Sequence, residues 1–457
     1  MKRIDLKRSV PWSYDRDIVI VGGGPAGCAA AIGAARLGAK VLLIERSGCL
    51  GGLATSGFVR GFNPMSDGFR TLVGGFMLEI VEELYRRKAL VPEATPEWWT
   101  SRSRQWIAFA GEELKLLLDE KLAEAGVEVL FFTSLAATDV DADQKSLKGI
   151  FINNIEGLSY VSGRCFVDGT GDALLAVQAG ADYYENDDPM PSTLCSLHGG
   201  VDWSLSTYDD QQEGLLRAIA DGFFKVPDRH LPGALKCTPY SSYMNAGHLF
   251  KLNCLTAAGR SMAMTEGRKL IQEYVAFYRK YVPGFANMEL LASAEIPGVR
   301  AGRQVMGEYV LDYRDYCTRR KFPDQIGVFN NYIDMHVKDN SDEEFQRFCR
   351  STAEIAPGEH FGLPYGITVA RGWRNLWVGG RCASSDEAMQ AAIRVQPAAM
   401  MTGQAAGAAA AISLETACSA AEVDTARLVT ELRRQGAYLP QTDLSARLTQ
   451  SQRKQAS

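Results

Sequence analysis

The chain has 457 residues, 46% hydrophobic and 23% charged, with a formal charge of −5, so it can bury a large core divided over two domains. Its slight acidity and lack of a long Lys/Arg run exclude a nucleic-acid surface, and no apolar stretch nears the ~20 residues a bilayer crossing needs. Ten cysteines without a CxxC pair, five histidines (198, 230, 248, 336, 360) without HxxH or HExxH spacing, and an amino end without an apolar signal core predict a cytoplasmic protein with reduced thiols, no metal and no membrane.

The first predicted element is a buried parallel strand, DIVIVG at 17–22, a β-branched run that leads into GGGPAGCAAAIGAARLG. Gly22, Gly24 and Gly27 have GxGxxG spacing. The first permits a tight turn, the second lets a pyrophosphate approach the backbone, and the third lets helix and strand pack closely. Pro25 and Ala26 open the helix, whose amino end suits phosphates. A second strand, AKVLLIER, ends at Glu45 and Arg46, with Glu45 eighteen residues past Gly27, where a carboxylate accepts hydrogen bonds from an adenosine ribose. The alternative is a plain glycine turn beside a surface Glu45.

SGCLGGLATSG (47–57) and RTLVGGFMLEIVEEL (70–84) follow, and their double glycines predict a backbone that comes close to a large cofactor, FAD rather than NAD alone. GEELKLLLDEKLAEAG reads as an amphipathic helix stopped at Gly126, then a strand ending near Ala136. Further strands, with turns at 153–154 and near 156–157, reach a second glycine motif, Asp168-Gly169-Thr170-Gly171-Asp172, whose plain reading is a turn with Asp172 as helix cap. From 186 to 358 aromatics, prolines and polar residues mix without a second GxGxxG, which argues against a dedicated NAD(P)H domain. A strand at 375–379, a turn at Gly380-Arg381 and an Ala-rich helix from about 397 close the pattern; Gly403, Ala406 and Gly407 read as a close-packing face.

Strand-GGGPAG-helix-strand-ER followed by GGLATSG resembles the flavoprotein superfamily that includes glutathione reductase and fumarate reductase. Within it the chain looks most like the bacterial FAD-dependent oxidoreductase family, through GGLAT at 51–55, Gly74-Gly75 with Glu79, Gly380-Arg381, and RVQPAAMMTGQAAG at 394–407. The resemblance spans roughly 16–185 and 360–415. GVRAGRQ at 298–304 is similar to a GVRESRR segment, with Ala301-Gly302 in place of Glu-Ser.

The resemblance implies an α/β fold: a Rossmann-like, discontinuous FAD-binding domain (15–185 and 359–420), an inserted α+β substrate or cap domain (186–358), and a C-terminal helical extension (421–457). It implies that Gly22, Gly24, Pro25, Ala26, Gly27, Glu45 and Arg46 hold the ADP half of FAD, and that Gly51, Gly52, Leu53, Ala54 and Thr55 pass along the pyrophosphate and ribityl chain. Ala136, Gly169, Thr170 and Gly171 would close over the cofactor with Gly380 and Arg381. Arg394, Gln396 and Pro397 would stand where a helix dipole meets the flavin pyrimidine.

Catalytic candidates are fewer. Arg300 and Arg303, three apart, share a face if their segment is helical and could clamp a carboxylate, or form salt bridges only. His198 and His248 suit a general base, and Tyr240 and Tyr243 suit an aromatic pocket or plain packing. The expected activity is hydride transfer between flavin N5 and a small organic substrate, with an electron donor or acceptor as second partner and a homo-oligomer compatible. The alternatives are an FAD-dependent monooxygenase and a non-catalytic FAD-binding protein. No cysteine follows Gly51-Gly52 through Phe58, so Cys49 reads as a bystander rather than half of a redox dithiol.

Overall fold

The computed structural model describes residues 8–103, 105–351 and 355–440. Strand β1 (Trp12–Val21) begins earlier than the apolar run alone predicts, because its first half pairs with a neighbouring strand at the exposed sheet end. Helix α1 (Pro25–Ala35) and β2 (Val41–Ile44) complete the first unit. Helix α2 (Gly75–Arg86) and helix α3 (Gly111–Glu124) lead to β3 (Glu128–Leu130), β4 (Ser134–Asp141), β5 (Ser146–Asn154) and β6 (Gly157–Asp168). Where one strand to Ala136 is expected there are two. The chain bends at Phe132, φ +50°, because Phe132 N–H and Thr133 N–H donate to the carbonyls of Ser47 and Glu45 just past β2.

The second group comprises β7 (Ser196–Gly199), helix α4 (Tyr208–Ala220), β8 (Ala234–Thr238), β9 (Ser241–Met244), helix α5 (Ala257–Tyr281) and β10 (Glu289–Ser293). The strands form an antiparallel sheet in the order β8-β9-β7-β10. Leu215, Ile271, Tyr274, Phe277 and Tyr278 from α4 and α5 share one buried cluster with Met244 of that sheet. The chain then returns through β11 (Leu376–Val378), helix α6 (Gln396–Thr416) and helix α7 (Thr425–Arg434). Residues 441–457 of the expected extension lie outside the described residues.

The main sheet runs β3-β2-β1-β6, all parallel. The long β6 changes partner along its free edge: its first half pairs antiparallel with β5, and its last residues pair parallel with β11. Register then aligns the strand ends, with Val21 opposite both Ile44 and Asp168, and Asp168 opposite Val378. The carboxyl ends of β1, β2, β6 and β11 therefore open on one edge, where doubly wound sheets bind ligands.

Helix α6 is buried from Gln396 to Ser413 and lies directly against α1. Added Cβ atoms at Gly403 and Gly407 would stand 2.1 and 1.9 Å from the carbonyl oxygens of Ala26 and Ala30, so these small residues set how closely the helices approach. The Gly74-Gly75 pair has a similar use, against expectation. Gly75 N–H donates to Gly436 O at 2.8 Å, and a Cβ at Gly75 would lie 2.4 Å from the Gln404 side chain. That double glycine packs the C-terminal segment and does not approach a cofactor cleft. Among the described residues no helix is long and apolar enough to cross a membrane.

Candidate functional site

At the aligned strand ends lies a cleft of about 350 Å³. Its floor begins where β1 stops: Gly22 takes φ +99°, and a Cβ there would strike the Gly169 carbonyl at 2.7 Å. At Gly27 a Cβ would stand 1.8 Å from Gly22 O, so only glycine lets α1 sit on this turn. No side chain caps α1, and Gly24, Pro25 and Ala26 line the cleft, leaving its first-turn N–H groups for a ligand. Glu45, buried and lining the cleft, accepts from Gly23 N–H at 2.6 Å and from Ser47 N–H and Oγ at 2.7 Å. These bonds fix its direction: Oε1 takes both Ser47 donors, while Oε2, with one donor, keeps a lone pair for a hydroxyl.

The opposite wall is the 168–172 turn. Buried Asp168 accepts from Thr170 N–H (2.9 Å), Thr170 Oγ1 (2.7 Å) and Ala176 N–H (3.0 Å), holding Gly169-Thr170-Gly171 against the cleft. Asp172 is not a helix cap, because Ala173 occupies that position without a side-chain cap. Instead Asp172 receives Arg260 and Arg381, and Arg381 Nε also donates to Gly171 O at 2.8 Å. Burial by itself would raise the Asp172 carboxyl, but the charges of Arg381 and Arg260 outweigh it and hold the group below its usual range. Gly380 N–H donates to Thr402 Oγ1 at 2.9 Å, which ties the β11 turn to α6. At the far end the cleft is bounded by Arg394, Gln396 and Ala399 around the uncapped start of α6, and by Ile296, Pro297 and Val299.

A dinucleotide fits this donor set. Arg46, Arg260, Arg381 and Arg394 line the cleft with only Glu45 and Asp172 as lining acids, an excess of positive charge, and two helix amino ends open on it. A Cβ at Gly24 would find one atom within 4 Å, Gly169 O at 3.8 Å, so that position borders open space. Arg394 Nε and Gln396 Oε1 are buried without protein partners. They are a donor and an acceptor available to a bound group.

The sequence-predicted positions divide. Gly22, Gly24, Pro25, Ala26, Glu45, Arg46, Gly52, Leu53, Gly169, Thr170, Gly171, Gly380, Arg381, Arg394 and Gln396 all line the cleft. Gly27, Gly51, Ala54, Thr55 and Pro397 lie behind that lining, where Thr55 Oγ1 donates to Leu50 O at 2.5 Å and Pro397 is the second residue of α6. Ala136 is exposed and off the lining; Thr133, Ser134 and Leu135 stand there instead, shifted by the bend at Phe132.

None of the six catalytic candidates lines the cleft. GVRAGRQ is not helical, so Arg300 and Arg303 share no face. Arg300 is buried and donates to Pro191 O (2.8 Å), Thr193 Oγ1 (2.9 Å) and Asn245 Oδ1 (3.1 Å), and burial pushes it down to about 10. It is held as a strut, not as an open clamp. Arg303 pairs with Glu185 at 3.0 Å, the salt-bridge alternative. His198 is sealed in β7 with neither ring nitrogen bonded, and burial lowers it to about 4. Tyr240 is 88% exposed at the β8-β9 turn, while Tyr243 is fully buried. His248 is buried against Asp228, with Nδ1 2.8 Å from Oδ2. Burial lowers its affinity for a proton, against the pull of that carboxylate.

Several site residues carry no sequence signal. Arg260 enters from the first turns of α5, 88 residues from Asp172. Asp334 holds Arg394 at 2.9 Å from a loop, and nothing in its local pattern announces it. Asp168 stands in the Asp-Gly-Thr-Gly-Asp motif, whose first acid was the organising one.

A parallel sheet with a glycine turn, a buried acid at the end of its second strand and two open helix ends defines a dinucleotide-binding oxidoreductase. The chain belongs to the FAD dependent oxidoreductase family, whose model matches residues 17–432. It is 60% identical over 40 residues to dihydrolipoyl dehydrogenase 2, mitochondrial, of Arabidopsis thaliana, which is 9% of this chain and 8% of that protein's length. Solved structures similar to it include a geranylgeranyl bacteriochlorophyll reductase-like protein from Thermoplasma acidophilum (13% identity, 92% of this chain and 83% of that one, TM-score 0.47). Another is a triple mutant of the flavin-dependent brominase Bmp2 (12%, 92% and 84%, TM-score 0.45). A third is CabE, an aromatic hydroxylase from angucycline biosynthesis (11%, 92% and 68%, TM-score 0.44).

Proposed function

We propose that this family member is a dehydrogenase or reductase that moves a hydride between flavin N5 and a small organic substrate, with a second molecule as electron donor or acceptor. The reading places FAD in residues 15–185 and 359–420, a substrate or cap domain in 186–358, and a helical extension from 421. It sets the protein in the bacterial cytoplasm and on the glutathione reductase and fumarate reductase side of the flavoprotein superfamily, with a homo-oligomer compatible. The observation that carries it is the cleft itself, with two uncapped helix amino ends and four arginines around a glycine floor.

Bound FAD supplies the two-electron redox chemistry. The chain's own groups hold and orient. First-turn N–H groups of α1 and the Asp172-pinned Arg381 suit the diphosphate, while Glu45 suits the ribose. The start of α6 would turn its positive end toward the negative charge that a bound flavin develops on reduction, and Arg394 Nε and Gln396 Oε1 would offer a donor and an acceptor beside it. Ile296, Pro297 and Val299 add apolar surface to the cleft lining, which would help exclude water from a bound flavin. Among the described residues the Cys49 thiol is free and hydrogen-bonds to the hydroxyls of Thr55 (3.7 Å) and Ser56 (3.2 Å), which argues against a dithiol cycle.

Anaerobic mixing of the purified yellow protein with a panel of acids, sugars and aromatic compounds tests the reading: one class should bleach the flavin. Colourless protein that takes up no added FAD would overturn it. Bleaching only by NAD(P)H, with oxygen appearing in an aromatic product, would assign a monooxygenase instead.

A further inference from the structure

Away from the cleft lining, His230, His248 and His336 meet inside the protein, each with one ring nitrogen within 4.8 Å of those of the other two. They come from three loops, 18 and 88 residues apart in the relevant steps, so no spacing motif marks them. We propose that these three imidazoles bind a divalent first-row transition cation, with Zn²⁺ as the representative ion, in a site backed by Asp228 and Asp334.

The argument starts from the carboxylates. Asp228 is buried, accepts from His230 N–H at 2.9 Å, and lies 2.8 Å from His248 Nδ1. An acceptor there fixes the Nδ1–H tautomer of His248 and leaves the Nε2 lone pair facing inward. On the other side Asp334 Oδ1 lies 3.7 Å from His336 Nε2, beyond hydrogen-bond reach, where its negative charge favours a proton on that nitrogen and so an inward Nδ1 lone pair. These two inward nitrogens, His248 Nε2 and His336 Nδ1, are 2.8 Å apart. Two lone pairs repel at that distance unless an electrophile lies between or beside them.

A proton is one such electrophile, but it serves one pair only. The third imidazole decides between the choices: His230 Nδ1 is buried with no hydrogen-bond partner. One cation satisfies all three rings at once, and histidines oriented from behind by carboxylates are the usual arrangement of metal-binding imidazoles. Nitrogen-only ligands select zinc and its late first-row neighbours over Mg²⁺ or Ca²⁺, which take oxygen. Three ligands leave a fourth position open. His230 now stacks on His336 with centroids 4.5 Å apart and planes at 29°, and it is only partly buried. It is the ligand that turns to close the site. Asp334 also holds Arg394 at 2.9 Å, so the cation would stand one carboxylate away from the cleft.

The test uses the full chain, stripped with EDTA and titrated separately with Co²⁺ and Zn²⁺, and needs no turnover. One equivalent of Co²⁺ per chain should bind with the visible d–d bands of a low-coordinate nitrogen site, and Zn²⁺ should abolish them. His336→Ala and His230→Ala should each weaken binding about 100-fold or more, while His360→Ala, outside the cluster, should bind as wild type does. Should His336→Ala fail to fold by circular dichroism, the partly exposed His230→Ala decides. No stoichiometric binding, or equal binding by folded His230→Ala, would overturn the proposal and leave a hydrogen-bonded histidine pair.

Discussion

Arg394 Nη2 lies 2.9 Å from Asp334 Oδ2 and 3.0 Å from the Asp334 carbonyl, and this pair joins the cleft to the buried polar interior between α6 and the 330–338 loop. Both side chains are at most 15% exposed. Replacing Arg394 with Ala leaves a buried carboxylate without its partner, which costs about 3–5 kcal/mol. Denaturant unfolding of Arg394→Ala should show that loss together with weaker flavin retention, and Arg394→Lys should recover part of the stability.

The glycine floor separates folding from cofactor binding. At Gly24 an added methyl has room and the backbone is extended, so Gly24→Ala should fold with nearly unchanged stability. Because the position borders the cleft, flavin affinity should fall about tenfold, or about 1.4 kcal/mol. Gly27→Ala should behave differently, since its methyl meets Gly22 O at 1.8 Å and α1 must move. Gly52→Val combines φ +52° with a Cβ 3.0 Å from Gly24 Cα and should lose FAD. Thermal unfolding and fluorescence titration with FAD distinguish the three variants.

Asp172 gives a pH dependence of definite sign. Its carboxyl sits below its ordinary value of 3.8 in the folded chain, so the stability it contributes is fully present above that value and is lost as pH falls through the lower folded value. Asp172→Asn should therefore be less stable at pH 7 by about 2–4 kcal/mol, because Arg260 and Arg381 lose their shared counter-charge. Urea unfolding should show the gap between variant and wild type unchanged from about pH 7 to 5 and shrinking below about pH 4. A constant gap down to pH 2 would contradict this assignment.

Cys49→Ser should keep flavin binding and turnover, with stability within about 1 kcal/mol of wild type. The serine hydroxyl can replace the thiol beside Ser56 Oγ, now 3.2 Å away. A large loss of turnover in the presence of normal flavin content would restore a redox role to this thiol.

The glycine-floored cleft was legible in the chain because its signals are local. A glycine turn needs particular residues at fixed spacing, and the strand-helix-strand around it has its own apolar period, so Gly22 to Glu45 could be read without a fold. Close helix packing was legible too, from the small residues at Gly403 and Gly407. The catalytic candidates were chosen for residue type alone. Type does not say whether a side chain is sealed in a sheet, as His198 is, or spent on backbone carbonyls, as Arg300 is. Likewise two double glycines look alike in sequence, yet Gly52 faces the cleft and Gly75 faces Gln404.

What the sequence by itself determined, then, is the set of backbone positions where only glycine fits and the periodic strands and helices that flank them. These are short-range sterics and hydrophobic patterning. What only the tertiary structure decided is which charges meet: Asp172 with Arg260, Asp334 with Arg394, and three histidines brought together from separate loops. Such pairings depend on distances of a few ångströms between residues tens of positions apart. No periodicity encodes them, because Coulomb and ligand interactions act through space while sequence patterns act along the chain.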